Sequence, residues 1–307
     1  MLVAVLACAK TPPDSGQGAL TDSGPRAPAD SGQVTPDLAA DVPVVTCISI
    51  ADDLIADFTT DNSISQVDGR QGGFYLYGDG SLAGQFVPPN VKCQPYPIDT
   101  ATGNPQCSGP GSFHVKASGW GVWGAALGTD FVPKIMIDAG VCSDDIGFKG
   151  TYDASKYKGI SFWAKATAPL KGVQVSLKDV YTDGSATFAG LPVPDGTLPD
   201  FTSCVISNDK RYNCSPYLVK FGADPNYFPA YQGYQIDTTW KRFDVFFADT
   251  RQDQYNLGFH AAPDLFTSNL DVAHLTGMAI QVNATYVGST ASPNDFEIWV
   301  DDVNFIR

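Results

Sequence analysis

The closing stretch Phe296-Glu-Ile-Trp-Val-Asp-Asp-Val-Asn-Phe-Ile-Arg307 constrains the fold more than any other part of the chain. Its apolar residues fall first on even positions (Phe296, Ile298, Val300) and then on odd ones (Val303, Phe305). Strand side chains alternate faces with a period of two, so a change of phase requires a bulge or kink. Asp301 and Asp302, at the change, are both carboxylates, which packing alone does not call for. The stretch predicts a closing β-strand with an acidic irregularity, in a β-sandwich that holds a cation near that strand.

The rest of the chain agrees with an all-β reading. Glu297 is the only glutamate, so the acidic residues are almost all Asp. Asp suits turns and hard-cation sites, whereas Glu suits helices. The 30 Gly and 22 Pro point the same way. A net charge of −14 argues against nucleic acid as a partner, because nothing would neutralise phosphates. No 18-residue apolar window exists, so no transmembrane helix is expected.

Residues 1–8 form an apolar run ending at Cys8, and residues 9–46 are a tether. Asp-Ser-Gly recurs at Asp14, Asp22 and Asp30 in a Pro/Ala/Gly-rich background that cannot bury enough apolar surface to fold. As a flexible chain it would span roughly 31–37 Å. The run before Cys8 resembles the end of a bacterial lipoprotein signal, which implies lipidation at Cys8 and anchoring at the cell envelope, outer membrane or surface. It departs from that pattern at Val5 and in lacking a charged segment ahead of it, so the start of translation is expected upstream.

Residues 47–307 are expected to form one domain. Setting Cys8 aside leaves six cysteines, an even number that suits an oxidising compartment. Local spacing favours Cys93–Cys107 and Cys204–Cys214 and leaves Cys47–Cys142, with unpaired buried thiols as the alternative. Strands are expected at Leu54–Phe58, within Gly72–Gly80 and at Phe113–Ser118, with long loops over 81–111 and 181–236. The stretch 152–164 aligns without gaps to 270–282, each an Asp-capped turn, a glycine and a strand, which predicts two neighbouring strands in one sheet.

Alternation in these strands points Ile160, Phe162, Val173, Val175, Phe243 and Val245 into the core. The opposite faces collect Trp163, Lys165, Gln174, Ser176, Lys178, Asp244, Gln281 and Asn283, a mixture of an aromatic with hydrogen-bonding groups that suits a sugar ring. Trp120, flanked by glycines in Ser118-Gly-Trp-Gly-Val-Trp-Gly124, is expected to stand out from a loop. Trp123 is read either as part of the same platform or as a core plug.

The run "DF" at the first strand, "GGFYLYGDG", "GWGVWGAALG", "YDASKYKGISFWAK", "WKRFDVFF" and "FEIWVDDVNF" together resemble the carbohydrate-binding-module-like domains of bacterial, notably myxobacterial, lipoproteins. These are jelly-roll sandwiches of two antiparallel sheets in the galactose-binding-like superfamily, near carbohydrate-binding module family 11. The resemblance covers about residues 50–307 and implies a poly- or oligosaccharide partner. It also implies a structural calcium held by Asp301, with Thr59 standing where a glutamate is usual and Asp57 or Asp61 as substitutes.

Catalysis is disfavoured. With one Glu, a pair of hydrolytic carboxylates would have to be built from Asp, and there is no nucleophile elbow. Two non-catalytic classes remain: a glycan-binding module, and an envelope structural or protein-interaction module on the same fold.

Overall fold

The computed structural model describes residues 53–91, 95–103, 109–132, 149–170, 172–180, 182–183, 205–207, 210–212, 217–222, 235–252, 270–287 and 290–307. The apolar run, the tether and all seven cysteines lie outside the described residues, and with them lipidation at Cys8 and the three disulfide pairings.

Alternating apolar and polar side chains build two antiparallel sheets. The first contains β1 (Leu54–Ala56), β3 (Gln85–Val87), β4 (Phe113–Ser118), β6 (Gly159–Ala166), β11 (Lys241–Phe246) and β16 (Phe296–Ile306), in the order β11-β6-β16-β4-β3 with β1 also on β16. The second contains β2 (Phe74–Gly78), β5 (Gly124–Asp130), β7 (Gly172–Asp179), β10 (Tyr217–Gly222), β12 (Arg251–Gln252) and β13 (Leu275–Asn283), in the order β12-β10-β7-β13-β5-β2. Two hairpins, β8 (Val205–Ser207) with β9 (Lys210–Tyr212) and β14 (Thr285–Val287) with β15 (Thr290–Ser292), complete the strands. This is the β-sandwich that the alternation predicts, with the two antiparallel sheets of the jelly roll that the family resemblance implies. The expected loops at 81–111 and 181–236 are not continuous loops, since the first contains β3 and the second β8, β9 and β10.

One core lies between the sheets. Phe58, Phe74 and Phe113 meet with ring centroids 5.0–5.9 Å apart, and Phe162 stacks on Phe243 at 5.4 Å. Arg70 is fully buried at the edge of this core, its guanidinium 5.2 Å from the Tyr152 ring centroid and 5.3 Å from that of Phe305. Its Nε donates to the Val67 carbonyl at 3.1 Å.

The phase change in β16 is a bulge. Pairing with β6 runs regularly to Asp301↔Trp163 and resumes at Asn304↔Ser161. Asp302 has φ +46°, in the left-handed region that Asp tolerates better than bulkier residues, and its amide donates to Asp301 Oδ1 at 2.8 Å. Before the bulge β16 pairs with β4 on its other edge; after it, with β1. The kink thus lets one strand close the sheet against two partners.

The two echoing units are local twins, but they are not neighbours in one sheet. Asp153 accepts from the Ser155 amide and Asp271 from that of Ala273, as the shared turn requires. The units touch at the Tyr152↔Leu275 bridge, yet β6 enters the first sheet and β13 the second. The repeated pattern encodes a turn and a buried central strand, both of which either sheet can accommodate.

Candidate recognition face

Because β6 and β11 lie in one sheet and β7 and β13 in the other, the polar set collected from sequence divides between opposite outward faces. Trp163, Lys165 and Asp244 belong to the first sheet; Gln174, Ser176, Lys178, Gln281 and Asn283 belong to the second.

On the first sheet the aromatic surfaces are already in use. Register places His114, Trp299 and Lys165 side by side on β4, β16 and β6. His114 stacks on Trp299 with centroids 4.3 Å apart and planes 3° from parallel. Lys165 Nζ lies 4.8 Å from the Trp299 centroid and 5.3 Å from that of Trp240. Trp299 Nε1 donates to Asp99 Oδ2 at 2.9 Å, and His114 Nε2 is 3.0 Å from Glu297 Oε1. Burial pushes the Asp99 carboxyl up, but the bonds from Trp299, Ala101 and Thr102 outweigh it and hold the group below its ordinary value. Trp163 is only 7% exposed, so it offers no ring face to a ligand, contrary to its expected role as a platform.

The second sheet's outward face differs. Register aligns Tyr77, Ala126, Gln281 and Gln174 in one row across β2, β5, β13 and β7. The next row is Tyr75, Gly128, Ala279 and Ser176. Gly128, Ala279 and Ser176 carry almost no side chain across three strands, a span of about 10 Å at roughly 4.8 Å per strand. A Cβ on Gly128 would sit 3.3 Å from Tyr77 Cε1, so the Tyr77 ring leans over this glycine. Tyr75 and Tyr77 are half-buried and 5.9 Å apart. Across the row of small residues, Gln174 and Ser176 are 8% and 5% exposed, and neither side chain hydrogen-bonds another described residue. The polar atoms of both are not sealed from solvent, so they stay free to bond water or a ligand.

One end of this face is charged. Lys149 Nζ lies 2.9 Å from Asp130 and 3.1 Å from Asp183, and the Tyr75 hydroxyl donates to Asp130 at 3.2 Å. Burial would lower the Lys149 pKa, but the two carboxylates raise it further, so the group stays cationic. Burial and the charge on Asp130 push Tyr75 well up and Tyr77 to about 12, so both phenols remain neutral donors. Lys178 joins this end through its register with Gly277, which pairs in turn with Asp130.

The other end is built by two loops that Asp79 holds together. Asp79 Oδ2 accepts the consecutive amides of Val122, Trp123 and Gly124 at 2.6, 2.9 and 2.9 Å, and Oδ1 accepts that of Ser81 at 3.0 Å. This sets Trp123 beside Tyr77, with centroids 5.9 Å apart, and presents the Trp123 carbonyl to Gln281 Nε2 at 3.4 Å. Gln281 also donates to Asn283 at 2.6 Å. Of the two readings left open for Trp123, a place beside the tyrosines on this face is the one the structure gives, whereas the expected role of Trp120 is not met. Trp120 does not stand out but packs against the core, over Phe86 at 4.9 Å and close enough to Gly78 and Gly84 that a Cβ on either would lie 2.4 Å from the indole. The glycines around it make room for burial.

Asp57 and Asp61 accept the amides of Thr59 and Ser63 in local turns, while Asp301 accepts that of Asp302 within the bulge. Among the described residues no group of three or more His, Cys, Asp or Glu is placed to hold a metal ion.

Tyr75, Tyr77, Asp79, Asp130 and Lys149 were not singled out from the sequence. The signal for the tyrosines was present in Phe74-Tyr-Leu-Tyr77, whose alternation puts both rings opposite Phe74 and Leu76. The other three depend on long-range pairing.

No family model matches the chain. No curated protein matches it either. Among solved structures it is similar to a family 11 carbohydrate-binding module from Clostridium thermocellum, determined in complex with a β-1,3-1,4-mixed-linked tetrasaccharide, at 12% identity and a TM-score of 0.36 over 80% of this chain and 95% of that one. It is similar to a family 30 carbohydrate-binding module of a Clostridium thermocellum cellulosomal cellulase at 12% identity and a TM-score of 0.33, covering 76% and 96%. It is also similar to an exo-β-agarase at 11% identity and a TM-score of 0.35, covering 82% of this chain and 24% of that one.

Proposed function

We propose that this protein is a non-catalytic glycan-binding module that takes a sugar on the outward face of its second sheet. The observation that carries the reading is the juxtaposition on that face: two half-buried tyrosine rings, a floor of Gly128 and Ala279, and the side chains of Gln174 and Ser176, which hydrogen-bond no other described residue. Sugar C–H faces stack on aromatic rings, and sugar hydroxyls complete the bonds of amides and hydroxyls. On the same reading residues 9–46 tether the domain to an envelope membrane through a lipid on Cys8, which detergent-phase partitioning of the wild type and of Cys8→Ala tests.

A glycan array tests the sugar reading, with Tyr77→Ala and Gln174→Ala as variants. The expected result is retention of at least one glycan class by the wild type, reduced by each substitution at unchanged Tm. Retention unaffected by both substitutions would reject this face, and retention of nothing would reject the function.

A further inference from the structure

We propose that Lys149 and Asp130 become joined covalently, by an amide between the lysine Nζ and the aspartate Cγ, with Asp183 carrying the proton between them. The proposal is independent of the glycan reading. It rests on four groups that converge at one end of the second sheet. Lys149 Nζ lies 2.9 Å from Asp130 Oδ1 and 3.1 Å from Asp183 Oδ2, and the Tyr75 hydroxyl donates to the same Asp130 oxygen at 3.2 Å. The three charged side chains are largely withdrawn from water, at 13% exposed for Lys149, 16% for Asp130 and 6% for Asp183. The backbone near each is fixed. Asp130 ends β5 opposite Gly277, the Gly150 amide donates to the Val132 carbonyl at 2.9 Å, and the Asp183 amide donates to the Asp179 carbonyl at 3.0 Å. Groups held in contact in this way react as though at very high concentration, and little water is at hand to reverse the step.

Each group has a chemical part to play. Two carboxylates share one ammonium, so the pair that keeps Lys149 charged also supplies a base. Asp183 takes one proton from the ammonium, and the Nζ lone pair attacks Asp130 Cγ. Tyr75 donates to Oδ1 as negative charge gathers there. The other carboxyl oxygen leaves as water, taking the proton held by Asp183 and a second proton from Nζ. One C–N bond forms, one C–O bond breaks, nothing is oxidised, and Asp183 ends as the carboxylate it was. The contacts already present suit the product: the amide N–H faces Asp183, and Tyr75 faces the amide carbonyl. Holding ions away from water costs solvation that a neutral amide does not, so the site favours the linked form. The link ties the last residue of β5 to the segment that returns to it at Gly150.

Tryptic digestion and tandem mass spectrometry of the full chain, purified in its folded form, test the proposal. The expected result is a branched peptide joining the residues around Lys149 to those around Asp130, uncleaved at Lys149 and lighter than the two separate peptides by one water. Lys149→Met and Asp183→Asn should both lack it, and in Tyr75→Phe it should form about tenfold or more slowly after refolding. Wild type that is folded by circular dichroism yet yields the two peptides unlinked overturns the proposal, whatever the variants do. A branched peptide formed by Asp183→Asn at the wild-type rate overturns the part given to Asp183. Loss of water traced instead to a cyclic imide at Asp68-Gly69 or Asp79-Gly80 also overturns it.

Discussion

Replacing Asp79 with Asn isolates the charge that ties the two loops beside the recognition face. Burial pushes the Asp79 carboxyl up, but the bonds from Ser81, Gly124 and Val122 bring it from the ordinary 3.8 down to about 2. A depressed carboxylate pKa contributes stability that is fully present above the unfolded-state value and is lost as pH falls through the folded-state value. The window here runs from about pH 4 down to about pH 2, and with solvent screening at this part-exposed group the difference corresponds to about 1 kcal/mol. Urea denaturation of wild type and Asp79→Asn at pH 6, 4, 3 and 2 measures it. The variant is expected to be about 1 kcal/mol less stable at pH 6, with the gap closing to near zero at pH 2. Asp237, also lowered to about 2 by Lys241 and Thr239, titrates in both proteins and cancels in the difference. A gap of the same size at pH 6 and pH 2 would refute the argument, because the loss would then come from shape or packing rather than from ionisation.

Three further outcomes are expected. Gly84→Ala places a methyl 2.4 Å from the Trp120 indole and should cost about 1–3 kcal/mol by urea denaturation, with a shift in tryptophan fluorescence. Gln174→Leu removes a polar group that bonds no other described residue, so it should leave stability within about 1 kcal/mol while abolishing glycan retention; a larger loss would mean that the amide is satisfied in the free protein. Arg70→Ala empties the site between Tyr152 and Phe305 and should cost about 3 kcal/mol, and Arg70→Lys should recover only part of that because a point charge does not stack as a guanidinium does.

What could be read in advance was local. The β16 phase change announced a bulge because alternation is a property of one strand, and Asp302 supplies the left-handed residue that the bulge needs. The inward sides of β6, β7 and β11 followed from the same rule. Sheet membership was not legible, since the echo at 152–164 and 270–282 encodes a turn and a buried strand, which the two sheets provide equally. That gap dispersed the expected platform, because side chains that share a parity share a surface only if their strands share a sheet. The glycines around Trp120 were read as exposure, whereas Gly78 and Gly84 are the space the indole fills. Local turn chemistry at Asp57 and Asp61 was not weighed either: each accepts the amide two residues on.

The two outward faces show how one fold can separate cohesion from recognition. On the first sheet each polar group near Trp299 has a partner: Asp99 takes the indole N–H, Glu297 meets His114, and Lys165 lies over the ring. Such a face is complete without a ligand, and stacking a sugar there would first require breaking contacts already made. On the second sheet the contacts are made at the ends, by Asp79 and by the Lys149 cluster, while in the middle the Gln174 amide and the Ser176 hydroxyl bond no other described residue. The ends fix the spacing of these groups, so weakening either of them should alter binding even though the proposed sugar lies over the tyrosines between them.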